Sequence, residues 1–388
     1  MTLSRQSRLA AAARRTISAG MSGAGTTRQT GIARRRLMAL LAALPFGTPS
    51  LAASPLETGM LPWHHLPDGT FRNPQGSPER GGTSAEWRSF MWRRLVERAP
   101  PVAVPDGHVL PARAALAGLE AAAGADSVTW LGHASFLIRL GGRTILTDPF
   151  LSERASPFSF FGPKRLARPS LGAADLPPVD ILLLSHNHYD HLDLPALQAL
   201  RASECATAVM PLRVSRYLQA GRFAAMVELD WLQQAEVQGV RITALPAIHF
   251  SKRGLFDRNA SLWCGFLLEA GGRTVLFTGD TAYGPFFAEL AEHLPRPDLA
   301  LVPIGAYEPR PLMQGSHCTP EEGVRIGREL GARRLCGMHW GTIQLTDEPP
   351  FEPPVRFRAA AVAAGYAEDD AWALAIGETR MLPAGPNG

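Results

Sequence analysis

Apolar positions are patterned in two ways along this chain, and the clearest stretch is 180–184, Asp-Ile-Leu-Leu-Leu, bounded upstream by Pro177-Pro178. A short run that is apolar at nearly every position predicts a strand buried on both faces. Similar runs predict strands over 127–131 and 134–140, after which Gly141-Gly142 turns into a strand ending at Asp148. The pattern returns: 262–269 is strand-like, Gly271-Gly272 makes the turn, and a second Arg-Thr strand ends at Asp280. Gly-Gly-Arg-Thr leading into an apolar strand and an aspartate thus occurs twice, which predicts two similar halves facing each other. Between the repeats, short helices are predicted over 195–202 and 212–220, and strands over 207–210 and 240–245. Beyond Asp280 come a helix over 285–293 and a strand over 298–303. Thr319-Pro320-Glu321-Glu322 then supplies an N-cap, a proline for the first turn and a capping-box glutamate, opening a helix that ends by Gly331. A last core strand, 334–338, ends at His339. Strands alternating with helices, each with a polar cluster at its end, predict an α/β fold: two sheets packed face to face, covered by helices on both sides.

The upstream third reads differently. Residues 53–125 are rich in proline and glycine, with Trp63, Trp87 and Trp92 and one helical stretch, 84–98. There Ser84 is the expected N-cap, and Phe90, Met91 and Leu95 fall at helical spacing. So many aromatics predict an arm packed on the main domain. Residues 1–52 hold eight arginines, no lysine and no acid, with Arg34-Arg35-Arg36 followed by an apolar run to Phe46 and by Ser50-Leu51-Ala52. That plan predicts an export leader resembling the twin-arginine type, with the small residues as the expected cleavage site. The alternative is a basic tail on a cytoplasmic protein. The expected organisation is leader 1–52, arm 53–125 and main domain 126–385.

Charge changes the picture in one respect. The formal net charge is +4, and the leader's eight arginines account for more than all of it, leaving −4 on the remainder. No global basic field then argues for nucleic acid. Cys205, Cys264, Cys318 and Cys336 form no C-x-x-C pair, and Cys264 and Cys336 lie in strand-like runs, so those two read as buried thiols.

The chemistry is concentrated in Ser185-His-Asn-His-Tyr-Asp-His-Leu-Asp193, directly after the predicted strand. H-x-H-x-D-H lets one loop serve two neighbouring metal positions. Neutral imidazole and carboxylate suit zinc, and also iron, manganese or nickel. A His-rich surface tract is the bland alternative, but the spacing is non-repetitive and follows a core strand. Asp148, His249, Asp280 and His339 also sit at strand ends, which converge on one crevice in such sheets. The expected arrangement places one metal on His186, His188 and His249, the other on Asp190, His191 and His339, with Asp280 bridging. His133 reads as a bonded core residue rather than a ligand, and His64, His65, His108 and His293 receive no role.

From about residue 66 to 382 the chain resembles the N-acyl-phosphatidylethanolamine-hydrolysing phospholipase D family of the metallo-β-lactamase fold. The resemblance rests on Asp68-Gly-Thr-Phe-Arg-Asn73, Thr129-Trp-Leu-Gly-His133, Gly162-Pro-Lys-Arg165, the 185–193 string, Glu228-Leu-Asp-Trp231, Gly279-Asp-Thr281, Pro303-Ile-Gly-Ala-Tyr-Glu-Pro-Arg310 and His339-Trp-Gly-Thr342. It implies a four-layer αββα sandwich with an N-terminal extension and two Zn2+ on the seven residues named, other divalent metals remaining open. It also implies hydrolysis of a phosphodiester by a metal-held hydroxide, giving phosphatidic acid and an N-acylethanolamine. Within that chemistry Asp190 would ligate and accept a proton, and His317 would protonate the leaving oxygen or stabilise its charge. Tyr189 would touch substrate, and Asp148 and Asp193 would orient imidazoles from behind. A phospholipid partner and a homodimer follow from the same resemblance. The leader departs from it, since family members are not generally secreted, and points to a periplasmic or membrane-associated location. Between 150 and 168, Phe150, Phe158, Phe160 and Phe161 precede Lys164, Arg165 and Arg168, an apolar-then-basic loop suited to an anionic membrane surface. Alternatives are a lactonase, a different phosphodiesterase, a single-iron sulfur dioxygenase and a non-catalytic lipid-binding module. His188 argues against redox di-iron members of the fold, which place Glu there.

Overall fold

The computed structural model describes residues 54–55, 63–95 and 102–383; the expected leader lies outside them. In chain order the elements are β1 (Ser54–Pro55), α1 (Ser84–Leu95), α2 (Ala112–Ala121), β2 (Ser127–Gly132), β3 (Ser135–Leu140), β4 (Arg143–Thr147) and β5 (Ile181–Leu183). There follow α3 (Leu194–Ala199), β6 (Thr207–Pro211), β7 (Ala225–Leu229), β8 (Gln233–Val237), β9 (Val240–Leu245), β10 (Gly265–Ala270) and β11 (Arg273–Phe277). The chain closes through α4 (Phe286–Ala291), β12 (Leu299–Pro303), α5 (Arg310–Met313), α6 (Pro320–Glu329), β13 (Leu335–Met338), α7 (Pro353–Ala363), β14 (Ala371–Trp372) and β15 (Thr379–Met381).

Two mixed sheets result, in the orders β15-β2-β3-β4-β5-β6-β7 and β1-β8-β9-β10-β11-β12-β13-β14. The repeated hairpins occupy the same place in each. β3 pairs antiparallel with β4, which runs parallel to β5. β10 pairs antiparallel with β11, which runs parallel to β12. The likeness reaches single side chains: Asp180, before β5, accepts the Thr144 amide at 2.8 Å, and Asp298, before β12, accepts the Thr274 amide at 2.9 Å.

Alternation within the strands builds the layers. Ile181 and Leu183 enter the core between the sheets, while Leu182 and Leu184 face the other way, onto Leu197 of α3. Full burial of each such side chain contributes about 1.5–3 kcal/mol. The second sheet is covered by Phe286 and Leu290 of α4, Val324 and Ile326 of α6, and Phe357 and Ala361 of α7. The order of layers is therefore helix, sheet, sheet, helix. Helix α2, inside the stretch expected to be an arm, puts Ala115 and Leu119 against Leu137 and Leu146, so the core draws on residues upstream of 126.

Several expectations are corrected. Residues 212–220 form a single 3-10 turn, Ser215–Tyr217, because Arg213 takes a left-handed φ of 67° that a helix cannot pass through. Helix α1 is capped by Thr83, which exchanges bonds with Glu86 (Thr83 N to Glu86 Oε2, 2.6 Å; Glu86 N to Thr83 Oγ1, 3.2 Å), so Ser84 is already inside it. Phe90 is buried against Leu312 and Met313, whereas Met91 and Trp92 are exposed. Cys264, Cys318 and Cys336 are buried free thiols and Cys205 is exposed. Among the described residues no helix is long and apolar enough to cross a membrane.

Candidate metal centre

The polar residues at the strand ends meet at one end of the two sheets. Asp148 follows β4, Ser185 to His191 follow β5, His249 follows β9, Asp280 follows β11 and His339 follows β13. His133, Asp148 and His339 sit at left-handed φ of 55°, 31° and 65°, a conformation costly for residues with a Cβ. Neighbouring bonds hold them there: Thr342 Oγ1 accepts the His133 amide at 2.7 Å, and His133 O accepts the His339 amide at 3.0 Å.

Two donor groups emerge. His186 Nε2 lies 2.7 Å from His188 Nδ1, and His249 Nε2 lies 3.1 Å from the same atom. Beside them, Asp190 Oδ2 stands 3.6 Å from His191 Nε2 and 3.8 Å from His339 Nε2. Asp280 joins the two, its Oδ2 being 3.1 Å from His191 Nε2, 3.1 Å from His339 Nε2 and 3.7 Å from His249 Nε2. All seven residues named as ligands are thus brought together at one place.

The donor set suits divalent cations. His191 Nε2, His339 Nε2 and Asp280 Oδ1 are buried without a hydrogen-bond partner, which is costly unless another group takes them up. Burial, then neighbouring imidazolium charge, pushes His186 well below the usual histidine range, His188 to about 3 and His249 to about 4. Those three are neutral lone-pair donors at pH 7. Burial opposes the charge on Asp280 and Asp190, yet the surrounding imidazoles outweigh it and hold both carboxyls below the usual range. Burial also opposes the proton on His191, but Asp280, Asp190 and Asp148 together raise it well above the usual histidine value. A metal entering there displaces that proton.

Asp148 orients the ring nitrogens from behind. Its Oδ2 meets His191 Nδ1 at 2.7 Å, and its carboxylate also accepts the Ser185 amide and hydroxyl; Ser185 Oγ in turn meets His186 Nδ1 at 2.8 Å. The role expected for Asp193 is corrected. Its carboxylate accepts the Leu151 and Ser152 amides at 3.0 and 2.7 Å and caps α3 through the Ala196 amide at 3.1 Å, and it bonds no imidazole. Asp148→Asn should therefore weaken metal binding about 10–100-fold. Asp193→Ala should leave metal stoichiometry unchanged and cost about 1 kcal/mol of stability as a lost cap. Metal titration and thermal melting of the two variants check this contrast.

His317, expected to act on the leaving oxygen, lies beside Asp280. Its Nδ1 is buried without a partner, 3.9 Å from Asp280 Oδ2, and burial holds the ring neutral. Tyr189 donates to Arg253 O at 3.1 Å, lies 4.0 Å under the Arg253 guanidinium, and lines a groove of about 610 Å3 with Ser152, Phe158 and Leu192. Sequence reading gave no role to Asn73, whose Oδ1 accepts the His249 amide at 2.9 Å, or to the Ser316 carbonyl 3.0 Å from His249 Nδ1. It placed His133 as a bonded core imidazole, which it is, but missed its partner, Asp190 Oδ2 at 2.9 Å.

The beta-lactamase superfamily domain matches residues 143–340. An uncharacterized protein of Mycobacterium tuberculosis is 38% identical over 67% of this chain and 69% of its own length. The Caenorhabditis elegans protein named N-acyl-phosphatidylethanolamine-hydrolyzing phospholipase D 1 is 38% identical over 58% of this chain and 67% of its own. Among solved structures, the isothiocyanate hydrolase from Delia radicum gut bacteria superposes with a TM-score of 0.52 at 20% identity, covering 66% of this chain and 98% of that one.

Proposed function

We propose, from the premise that the chain belongs to the beta-lactamase superfamily and is one of its metal-dependent hydrolases, that it is a dinuclear zinc phosphodiesterase of the phospholipase D type. Its proposed substrates are N-acyl-phosphatidylethanolamine-like lipids, cleaved to phosphatidic acid and an N-acylethanolamine. The observation that carries the dinuclear reading is the pair of donor groups joined at Asp280 Oδ2. The substrate class is drawn from the C. elegans relative.

When bound, such metals lower the pKa of coordinated water and polarise a phosphoryl oxygen. The chain's own residues supply the remainder. His186, His188 and His249 would hold one metal and Asp190, His191 and His339 the other, with Asp280 placed to serve both. His133 ties down Asp190 Oδ2, leaving the second carboxylate oxygen to orient an attacking water and accept its proton. The unpartnered nitrogen of His317 lies on the Asp280 side, where a neutral imidazole can donate to the leaving oxygen.

A lipid surface is the proposed partner. Phe160 is 80% exposed and Phe158 and Phe161 about half exposed, while Leu255 and Phe256, just after Arg253, are 83% and 98% exposed. Phe158 from the first tip and Arg253, just before the second, line the groove beside Tyr189. Phe150 and Arg165, expected in the same loop, are buried against each other and take no part. The arginine-rich 1–52 segment supports an exported location.

Metal quantification on purified protein, with product analysis on N-acyl-phosphatidylethanolamine and plain phosphatidylethanolamine, tests this reading. Two zincs per chain and faster turnover of the N-acylated lipid are expected. Equal turnover of the two would remove the narrow substrate while leaving the hydrolase. One iron per chain with oxygen uptake would replace it with the dioxygenase reading. In the same assay Phe160→Asp with Phe161→Asp should lower vesicle binding about tenfold and leave a short-chain soluble substrate unaffected; unchanged vesicle binding would count against the lipid surface.

A further inference from the structure

The rim of the centre carries two guanidinium groups that no anion among the described residues takes up. The Phe250 ring lies 4.5 Å from the His188 ring and 4.9 Å from the His249 ring. The Arg258 guanidinium sits 4.5 Å from the Phe250 centroid, and that of Arg80 sits 5.3 Å from it. Arg80 arrives from far upstream in the chain and is fixed by several contacts. Its guanidinium lies 3.7 Å over the Trp87 ring, and the Trp87 indole N–H donates to Gly81 O at 3.0 Å. Its backbone presses on the loop leading to Ser316 and His317: a Cβ on Gly315 would stand 2.9 Å from Arg80 N, so only glycine permits the approach.

Among the described residues neither guanidinium makes a hydrogen bond or meets a carboxylate at ion-pair distance. Asp257, beside Arg258, is committed to the Arg253 and Gly254 amides and to the Tyr217 hydroxyl. Both arginines are exposed, so a ligand can reach them. Packing of its guanidinium on Trp87 and Phe250 partly strips it of water, and this, then the Arg258 charge, lowers Arg80 to about 10. A planar guanidinium is matched in geometry by the oxygens of phosphate or carboxylate. Placing two of them, unpaired, beside a cluster built for cations concentrates positive potential where an oxyanion would relieve it.

We propose that Arg80 and Arg258 form a phosphate subsite at the His188 and His249 side of the centre, gripping the phosphoryl oxygens of the substrate or of the phosphate monoester it becomes. The assignment rests on the phosphodiesterase reading and makes the N-terminal arm part of the binding machinery. A lipid phosphate and free inorganic phosphate share this chemistry, so both are used as probes.

The test measures calorimetric binding of inorganic phosphate and of dioctanoyl phosphatidic acid to the full-length, metal-loaded protein and to Arg80→Gln, Arg258→Gln and the double variant. Each single variant should weaken binding about tenfold and the double variant further, at unchanged metal content. Lipid turnover should show a raised KM with little change in kcat. A loss for both probes identifies the phosphate alone as the recognised group; a loss confined to phosphatidic acid ties the subsite to lipid, and both outcomes support it. Wild-type binding of both probes by the double variant overturns it; if that variant does not fold, wild-type binding by Arg258→Gln alone does so. Failure of the phosphodiesterase reading looks different: no lipid turnover, with phosphate binding still dependent on the two arginines.

Discussion

Replacing Asp280 with asparagine should lower kcat/KM by about 10^3-fold and reduce bound metal by at least one ion per chain, in a protein that stays folded. The substitution keeps the shape of the side chain and removes its charge. That charge is the one both donor groups share, with Oδ2 at 3.1 Å from His191 and His339 and 3.7 Å from His249. On the dinuclear reading, its loss would leave Asp190 as the remaining central carboxylate, and Asp190 already gives one oxygen to His133. Buried cations need that neutralisation, because in a water-poor site mutual repulsion is little screened. Elemental analysis and single-substrate kinetics check the result together. Wild-type metal content and turnover within tenfold of normal would show that Asp280 is not where the two groups are joined.

What could be read from the sequence was what the chain states locally. The 181–183 strand, the imidazole loop after it and the Thr319–Glu322 capping box are each complete within a few residues, and each occurs where expected. The doubled Gly-Gly-Arg-Thr hairpin showed the two halves for the same reason. What depends on pairing across the fold was not legible. Helix α7 opens with Pro353-Pro354, which reads as a break in isolation, although prolines are tolerated in a helix's first turn. Strand β8, Gln-Gln-Ala-Glu-Val, buries only Ala235 and Val237 and shows too few apolar positions to stand out. Asp193 sits inside the metal motif and looks like part of it, yet its backbone turns it away to cap α3. Arg80 carries no signal at all, because its place beside Phe250 depends on a close approach of two segments more than two hundred residues apart.

Gly305→Ala should damage stability as well as activity, although the residue binds nothing. Gly305 follows β12, and Ile304 before it donates its amide to Met338 O at 3.0 Å, locking this segment onto the end of β13. A Cβ there would stand 2.1 Å from His339 O, 3.1 Å from its carbonyl carbon and 3.3 Å from Trp340 Cα. These are backbone atoms, so no side-chain tip can swing aside. Either β12 and β13 separate at their ends or His339 moves, and His339 is already held at a left-handed φ of 65° by its bond to His133 O. Moving it breaks the 3.1 Å approach of its Nε2 to Asp280. The expected outcome is a loss of about 2–4 kcal/mol of stability, depleted metal and activity at least 100-fold lower. Gly365→Ala separates this from the ordinary cost of replacing glycine. Gly365 has a φ of +93° but nothing within 4 Å of the added Cβ, so it should cost about 1 kcal/mol and leave metal and turnover intact. Thermal melting, metal content and kinetics of both variants decide the matter. If Gly305→Ala behaved like Gly365→Ala on all three, the end of β13 would not be what holds His339 in the centre.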